Sequence, residues 1–336
     1  MFPGLNDERK RFLLRVAGAR DGKVYIGPET VHFHITNKCN LRCLFCWAHA
    51  PGSWMHHQPT RHFPFRKFVE IVRDCYDLKV DAIHISAEGE PALHPRFADM
   101  MDLMGKMPFY VKLLTNGTFA PRQRQDVCKA DQVIINLGAI DREGYRILHG
   151  KDHVDRVIDN VRSLVCFRDR EKRSLDIKIN FIKNKLNAGA LPAMKVLAEK
   201  LGVGLVEKEM LPTLYNKKIS LAQKPCEKGQ EKESLPCYYG WFYASITLEK
   251  DVSLCCYIHN TGGTNIRDVS FKEAWLSSSL MQRRSEAAKG LLSDKFRECR
   301  NCPAAVKGVK ENPLLRGVVP GRRAAVEPGD TRITRV

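Results

Sequence analysis

The sequence predicts an α/β protein: a partial (β/α)6 TIM-like barrel followed by a small, cysteine-rich C-terminal unit. Three observations predict it. Strand-like and helical segments alternate through roughly the first 210 residues, the alternation stops near Pro212, and five of the twelve cysteines fall beyond residue 236. Alternation of this kind builds a parallel sheet covered by helices. Six units are too few to close an eight-stranded barrel, so the sheet is expected to stay open.

Each element has its own warrant. Residues 30–36 (TVHFHIT) alternate and are rich in β-branched side chains, which reads as a strand. Residues 65–78 carry Phe65, Phe68, Val69, Val72 and Tyr76 at helical spacing. A strand at 81–86 (DAIHIS) runs into the turn-rich EGEP, and a Met-rich helix covers 96–107. The strand at 110–114 ends on the turn signal Thr115-Asn116-Gly117. Strands at 132–137, 175–182 and 203–209 then alternate with helices at 153–167 and 191–201. Residues 215–236 are polar and lysine-rich, a linker or an active-site loop. The expected organisation is an N-terminal extension (1–29), the barrel (30–212), a linker (213–236), the cysteine-rich unit (237–303) and a basic tail (304–336). That tail carries seven Lys or Arg against three acids and is rich in Pro and Gly, so it reads as flexible.

Composition sets bounds on function. The chain is 43% hydrophobic, enough for a sizeable core, and no apolar run is long enough to cross a bilayer. The opening MFPGLNDERKRFLLRVAGAR has no long apolar core, so it does not read as a signal peptide and a cytoplasmic protein is expected. The formal charge of +17 favours an anionic partner: a nucleic acid, an acidic sugar or nucleotide, or a flavodoxin-like electron donor. In a reducing compartment, clustered cysteines bind metal or do chemistry. Cys75, Cys128 and Cys166 stand alone and read as structural thiols.

Cys39, Cys43 and Cys46 form a C-x3-C-x2-C loop directly after the first strand, at the sheet edge where α/β proteins bind ligands. Three thiolates hold three irons of a 4Fe–4S cluster and leave the fourth open. A zinc site completed by His49, His56 or His57 has the same three cysteines. The segment Cys39-Asn-Leu-Arg-Cys43-Leu-Phe45-Cys46 resembles the signature of the radical S-adenosylmethionine (SAM) superfamily, including the aromatic residue before the last cysteine. The resemblance implies that the open iron chelates SAM, that Phe45 lies near the adenine, and that cleavage of SAM yields a 5′-deoxyadenosyl radical. Other segments match in order. Ala87-Glu88-Gly89-Glu90-Pro91 resembles the GGEP motif that binds the SAM amino group, with Glu88 in place of a glycine. Thr115-Asn116-Gly117 resembles the TNG that ends the third strand. Asn136 and Asn184 occupy places where the family has polar SAM contacts.

Late in the chain, Cys237, Cys255, Cys299 and Cys302 could ligate zinc or an iron–sulfur cluster equally well. The segments ITLEKDVSLCC, TNIRDVSFKEAWLSSSLMQRR and CRNC resemble the SPASM extension or its shorter form, twitch, which implies an auxiliary 4Fe–4S cluster. No cysteine follows Cys302, which fits the twitch-like form with one auxiliary cluster. Lys250 stands where that family usually has glycine. Cys256 competes with Cys255 as the ligand. Cys226, in the linker, is a candidate ligand or hydrogen-atom donor. His56, His57 and His62 are candidate substrate contacts, Trp47 and Trp54 candidate shields for the cluster.

The expected function is that of a radical SAM oxidoreductase or epimerase acting on an unactivated C–H bond. The auxiliary cluster would accept an electron, and a flavodoxin- or ferredoxin-type donor would supply the first one. Peptide-modifying members often carry a peptide-binding domain before the barrel, and about 30 residues precede the first strand here. That favours a carbohydrate-like small molecule over a peptide. An RNA-modifying enzyme and a zinc-bearing nucleic-acid-binding protein are the alternatives.

Overall fold

The computed structural model describes residues 7–53, 58–86, 88–210, 236–255, 264–292 and 299. Six parallel strands lie side by side in chain order: β1 (Thr30–His34), β2 (Ala82–Ser86), β3 (Tyr110–Thr115), β4 (Gln132–Asn136), β5 (Asp176–Lys183) and β6 (Gly204–Glu209). All six fall within two residues of their expected bounds. β1 stops at His34 because the chain then leaves the sheet, Thr36 bridging to His62 instead.

The helices are α1 (Asp7–Asp21), α2 (Phe65–Asp77), α3 (Phe97–Met104), α4 (Arg124–Val127), α5 (Arg142–His149), α6 (Val154–Arg170) and α7 (Leu191–Leu201). α3 ends three residues before the expected 107, since Met107 precedes Pro108 and the α conformation is disfavoured there. α1, α4 and α5 were not expected from periodicity. α5 did carry end signals: Asp141 caps it by accepting from Gly144 N–H, and Gly150 closes it at φ 78°.

Strand alternation sorts the sheet into two faces. Phe33, Ile83, Ile85, Val111, Leu113, Val133, Ile135, Ile177 and Ile179 are buried in one core with Phe68, Val72, Met100, Val157 and Met194 of the helices. Phe33 meets Phe68 with ring centroids 4.8 Å apart. The opposite face is polar and carries His32, His34, His84, Ser86, Gln132, Asn136 and Asn180. A polar concave face enclosed by an apolar jacket is what a ligand-holding half-barrel needs.

The C-terminal unit joins this sheet. β7 (Tyr243–Ile246) pairs in parallel with the free edge of β1, and β8 (Asp251–Ser253) and β9 (Thr264–Asn265) extend it antiparallel. The result is one nine-stranded sheet, β6-β5-β4-β3-β2-β1-β7-β8-β9. Lys250, in the β7–β8 turn, adopts φ 68°, so the left-handed turn that favours glycine is kept with a lysine in it. Two further helices, α8 (Phe271–Leu276) and α9 (Ser278–Ala288), cover this end. Trp241 Nε1 donates to Lys23 O at 2.7 Å and Trp275 Nε1 to Ile26 O at 3.1 Å, so the C-terminal unit also grips the N-terminal extension. Among the described residues no helix is long and apolar enough to cross a membrane.

α1 is fixed by Arg15, whose side chain is 1% exposed. Its guanidinium donates to the carbonyls of Gly27 (2.9 Å), Pro28 (3.1 Å) and Lys79 (3.2 Å) and to Asp81 Oδ2 at 2.5 Å. These partners precede β1 and β2, so one side chain ties the helix to the base of two strands. Arg15→Met would leave Asp81 and three carbonyls without this donor. A loss of about 3 kcal/mol is expected in urea unfolding; an unchanged midpoint would show that α1 is not anchored this way.

Candidate functional site

The loop carrying Cys39, Cys43 and Cys46 has no regular structure, and three neighbours hold it. From α5, His149 O accepts from Arg42 N–H at 3.0 Å and Leu148 O from Leu44 N–H at 2.9 Å. From β3, Asn116 Nδ2 donates to Asn40 Oδ1 at 2.9 Å, and Asn40 Nδ2 donates to Thr118 Oγ1 at 2.8 Å. From the β2 loop, Gly89 N–H donates to Thr36 O at 3.0 Å and Glu90 N–H to Lys38 O at 2.7 Å. A Cβ on Gly89 would fall within the carbonyl of Lys38 and 2.7 Å from the carbonyl carbon of Asn37. Glycine is therefore required there by close approach of two backbones.

Glu90 completes the frame. It is fully buried, and burial pushes its carboxyl upward while hydrogen bonds pull it back. Oε1 accepts from Thr115 Oγ1 at 2.7 Å and Ala92 N–H at 3.2 Å, and Oε2 accepts from Asn116 N–H at 2.7 Å. The carboxylate is thus committed to joining the tips of β2 and β3. The Gly117 turn (φ 76°) is held from behind by Asn160 of α6, which donates to the carbonyls of Gly117 (2.8 Å) and Phe119 (2.9 Å). Asn40 and Asn160 were not singled out in the sequence; no spacing rule marks them, because their partners lie far along the chain in the turn after β3.

Cys39 and Cys43 are raised further by neighbouring thiolates, and burial dominates all three. Cys39 is pushed up to about 12, and Cys43 and Cys46 are also raised. Local N–H groups oppose this; His49 N–H, for one, donates to Cys46 Sγ at 3.3 Å. Three half-buried thiols whose ionisation is disfavoured, in a loop shaped by its neighbours, suit a cationic centre that supplies the missing charge. Among the described residues no group of three or more Cys, His, Asp or Glu is gathered as for one metal ion. Phe45 packs against the core beside the loop.

His149 is fully buried behind Cys43, with Nδ1 3.1 Å from its Sγ, and burial lowers the ring to about 4. Asn136 Oδ1 accepts from Asn180 Nδ2 at 2.6 Å, and the Asn180 Oδ1 is buried without a hydrogen-bond partner. That orphaned oxygen faces the concave side and suits a ligand that brings a donor. Asn184 lies further on, its side chain spent on its own turn: Nδ2 donates to Ile182 O at 3.1 Å and Oδ1 accepts from Leu186 N–H at 2.9 Å. Asn180, which the sequence did not single out, is the β5 residue joined to Asn136.

Glu88 approaches His34, with 3.9 Å between Oε1 and Nδ1, and its Oε2 is buried without a hydrogen-bond partner. Burial and then Glu249 push it up to about 7, against the pull of Arg61. His32 bridges Tyr243 Oη (2.6 Å) and Ser86 Oγ, which links the C-terminal unit to the barrel's polar face. His62 contacts Thr36 at the rim, Nδ1 to Oγ1 2.9 Å.

Cys237 N–H donates to Ala287 O at 2.9 Å, and Cys255 follows β8 with its N–H on Ser253 Oγ at 3.3 Å. Cys299 is half-buried. Cys226, Cys256 and Cys302 lie outside the described residues, as do Trp54, His56 and His57.

A model of the radical SAM superfamily matches residues 33–165, and one of an iron–sulfur cluster-binding SPASM domain matches residues 237–303. The chain thus carries a radical SAM domain and a SPASM domain. The radical SAM domain binds SAM and a 4Fe–4S cluster, and the SPASM domain binds auxiliary iron–sulfur clusters. Similar proteins include a probable GTP 3′,8-cyclase of Archaeoglobus fulgidus, 29% identical over 38% of this chain and 41% of that one. An S-adenosylmethionine-dependent nucleotide dehydratase of Selenomonas ruminantium is 26% identical over 47% of this chain and 57% of that one. The chain therefore spans about half the length of these relatives. The crystal structure of Streptococcus suis SuiB bound to S-adenosylmethionine shares the radical SAM fold, with TM-score 0.64 and 14% identity over 84% of this chain and 75% of that one.

Two outcomes are expected. Gly89→Ala should cost about 3 kcal/mol or more in unfolding and lower the iron content on reconstitution, because two backbones must part. Full loading and wild-type stability would show that the β2 loop does not seat the cysteine loop. For Glu88, the folded state holds its proton to about pH 7 and the unfolded chain only to about 4.5. Wild type should therefore lose stability relative to Glu88→Gln as pH rises from about 4.5 to 7, by up to about 3 kcal/mol. Parallel pH profiles would place Glu88 in contact with water.

Proposed function

We propose that Cys39, Cys43 and Cys46 hold the SAM-binding 4Fe–4S cluster and that Asn136 and Asn180 contact SAM on the concave face. The observation that carries this is the half-buried three-thiol loop after β1, together with the orphaned oxygen of Asn180 on the polar face of the sheet. Reduced cluster and SAM together supply a 5′-deoxyadenosyl radical that abstracts hydrogen from an unactivated C–H bond. The chain's own residues position this chemistry. Gly89 and Glu90 seat the loop on the strand tips, and Phe45 flanks the loop as the adenine-side wall. Thr115 and Asn116 join the cysteine loop to the Glu90 carboxylate, and the hydrophobic jacket keeps water from the outer face of the sheet. Glu88 completes the rim near the SAM amino end, and Asn184, its side chain tied into its own turn, shapes the loop after β5.

Cys237, Cys255, Cys299 and Cys302 hold one auxiliary 4Fe–4S cluster as electron acceptor for an oxidation (dehydrogenation); in an epimerisation the substrate radical would instead regain a hydrogen atom from a donor. The substrate is a carbohydrate-like small molecule or a peptide, and a flavodoxin- or ferredoxin-type protein supplies the electron. Cys226 is a candidate hydrogen-atom donor. A second reading, an anionic nucleotide or RNA substrate, is favoured by the net charge of +17 and by two relatives named for nucleotide chemistry. RNA binding that weakens steeply with salt would favour it.

The test is to purify and reconstitute the protein without oxygen, then count iron and sulfide in wild type and in a Cys39/Cys43/Cys46 triple Ala variant. About eight irons falling to about four, with 5′-deoxyadenosine formed by wild type alone, is expected. Zinc in place of iron at the late cysteines would remove the auxiliary acceptor. A loaded wild type that forms no nucleoside would overturn the catalytic reading.

A further inference from the structure

We propose that His149 is a positioning residue for the SAM-binding cluster, donating a hydrogen bond from Nδ1–H to the Cys43 sulfur and so raising the cluster's reduction potential. The proposal rests on the reading of Cys43 as a cluster ligand.

The protonation of the ring follows from its two neighbours. Gly138 N–H points at Nε2 from 3.1 Å. A backbone amide can only donate, so Nε2 must offer its lone pair. A neutral imidazole carries one proton, which is left on Nδ1. Nδ1 lies 3.1 Å from Cys43 Sγ, so the ring presents a donor to the sulfur.

The ring has no freedom to turn away. It stacks on Tyr145 with centroids 4.2 Å apart and planes 22° from parallel, and Phe45 meets it edge-on at 5.4 Å. Gly138 leaves no slack, since a Cβ there would lie 3.0 Å from Nε2. The backbone of the same residue holds the cysteine loop through Arg42 N–H. His149 therefore fixes both the path of the loop and the direction of one N–H dipole.

A fixed dipole aimed at a ligand sulfur favours the state with more negative charge. Reduction adds an electron to the cluster and its sulfurs, so the hydrogen bond strengthens on reduction and the potential rises. A buried, pre-oriented donor does this without reorganising. In a site where burial penalises every thiolate, the effect makes the cluster easier to reduce by a low-potential donor.

Three substitutions separate this role from packing. Asn places an amide where Nδ1 lies and can still donate to the sulfur. Gln reaches to where Nε2 lies and can serve only Gly138. Phe fills the stack on Tyr145 and donates nothing. Reconstituted holoenzymes would be titrated anaerobically while following the reduced-cluster EPR signal that changes on adding SAM. H149N is expected near the wild-type potential. H149Q and H149F should show about a tenfold lower reduced-to-oxidised ratio at fixed potential, a fall of about 59 mV for one electron.

Equal potentials for H149N and H149Q, or no fall in H149F, would overturn the proposal. So would loss of the cluster in all three, which would make the ring a matter of folding alone. A SAM-responsive signal that survives in Cys43→Ala would instead overturn the ligand assignment, and the two failures are thereby told apart.

Discussion

The loop that carries Cys39, Cys43 and Cys46 has no ladder of its own, so its shape is set by what it lies against. The tightest of these contacts is between main chains: Gly89 rests on the carbonyl of Lys38 with no room for a side-chain atom. Glu90 then fastens that contact to β3 through Thr115 and Asn116, and Asn116 reaches back to Asn40 inside the cysteine loop. Three strand tips thus become one rigid object. The arrangement of the thiols depends on it, since the Asn116 side chain that closes the circuit also hydrogen-bonds the Cys39 thiol. This explains why a carboxylate is buried at a cost: it satisfies donors from two strand ends that water cannot reach.

Burial decides the electrostatics of the site. Each thiol is disfavoured as an anion by desolvation, and a few N–H groups only partly offset this. In the proposed assignment, the positive charge of iron makes up the balance. The polar concave face follows the same economy. Asn180 and Glu88 each keep a buried oxygen without a partner, where a ligand with donors would complete them. The outer face, jacketed by Phe, Ile, Val and Met, supplies the stability that such unsatisfied groups draw on.

The C-terminal unit is an extension of the barrel sheet. β7 lies on the edge of β1 that an open half-barrel would otherwise expose, and this covers a hydrogen-bonding edge while bringing Tyr243 to His32. Arg61 and Glu249, 2.7 Å apart, bridge the rim above it. The two units therefore share one sheet and one polar face.

The six strands and four of the helices were legible in the sequence because their signals are local: alternation along residues 30–34, helical spacing of Phe68 and Val72, Gly117 at a strand end. The cysteine loop was legible because its chemistry and spacing lie within eight residues. Asn40, His149, Asn160 and Asn180 were not legible, since each is an ordinary polar residue until a strand or helix far along the chain meets it. Asn184 carried the expected position, yet the neighbour of Asn136 proved to be Asn180, because parallel register sets that pairing. The order of elements and the residue types of the first cluster were thus determined by sequence alone. Which loops touch, which ring nitrogen faces Cys43 and which edge β7 covers were decided by tertiary structure, because those contacts join residues with no periodic relation along the chain.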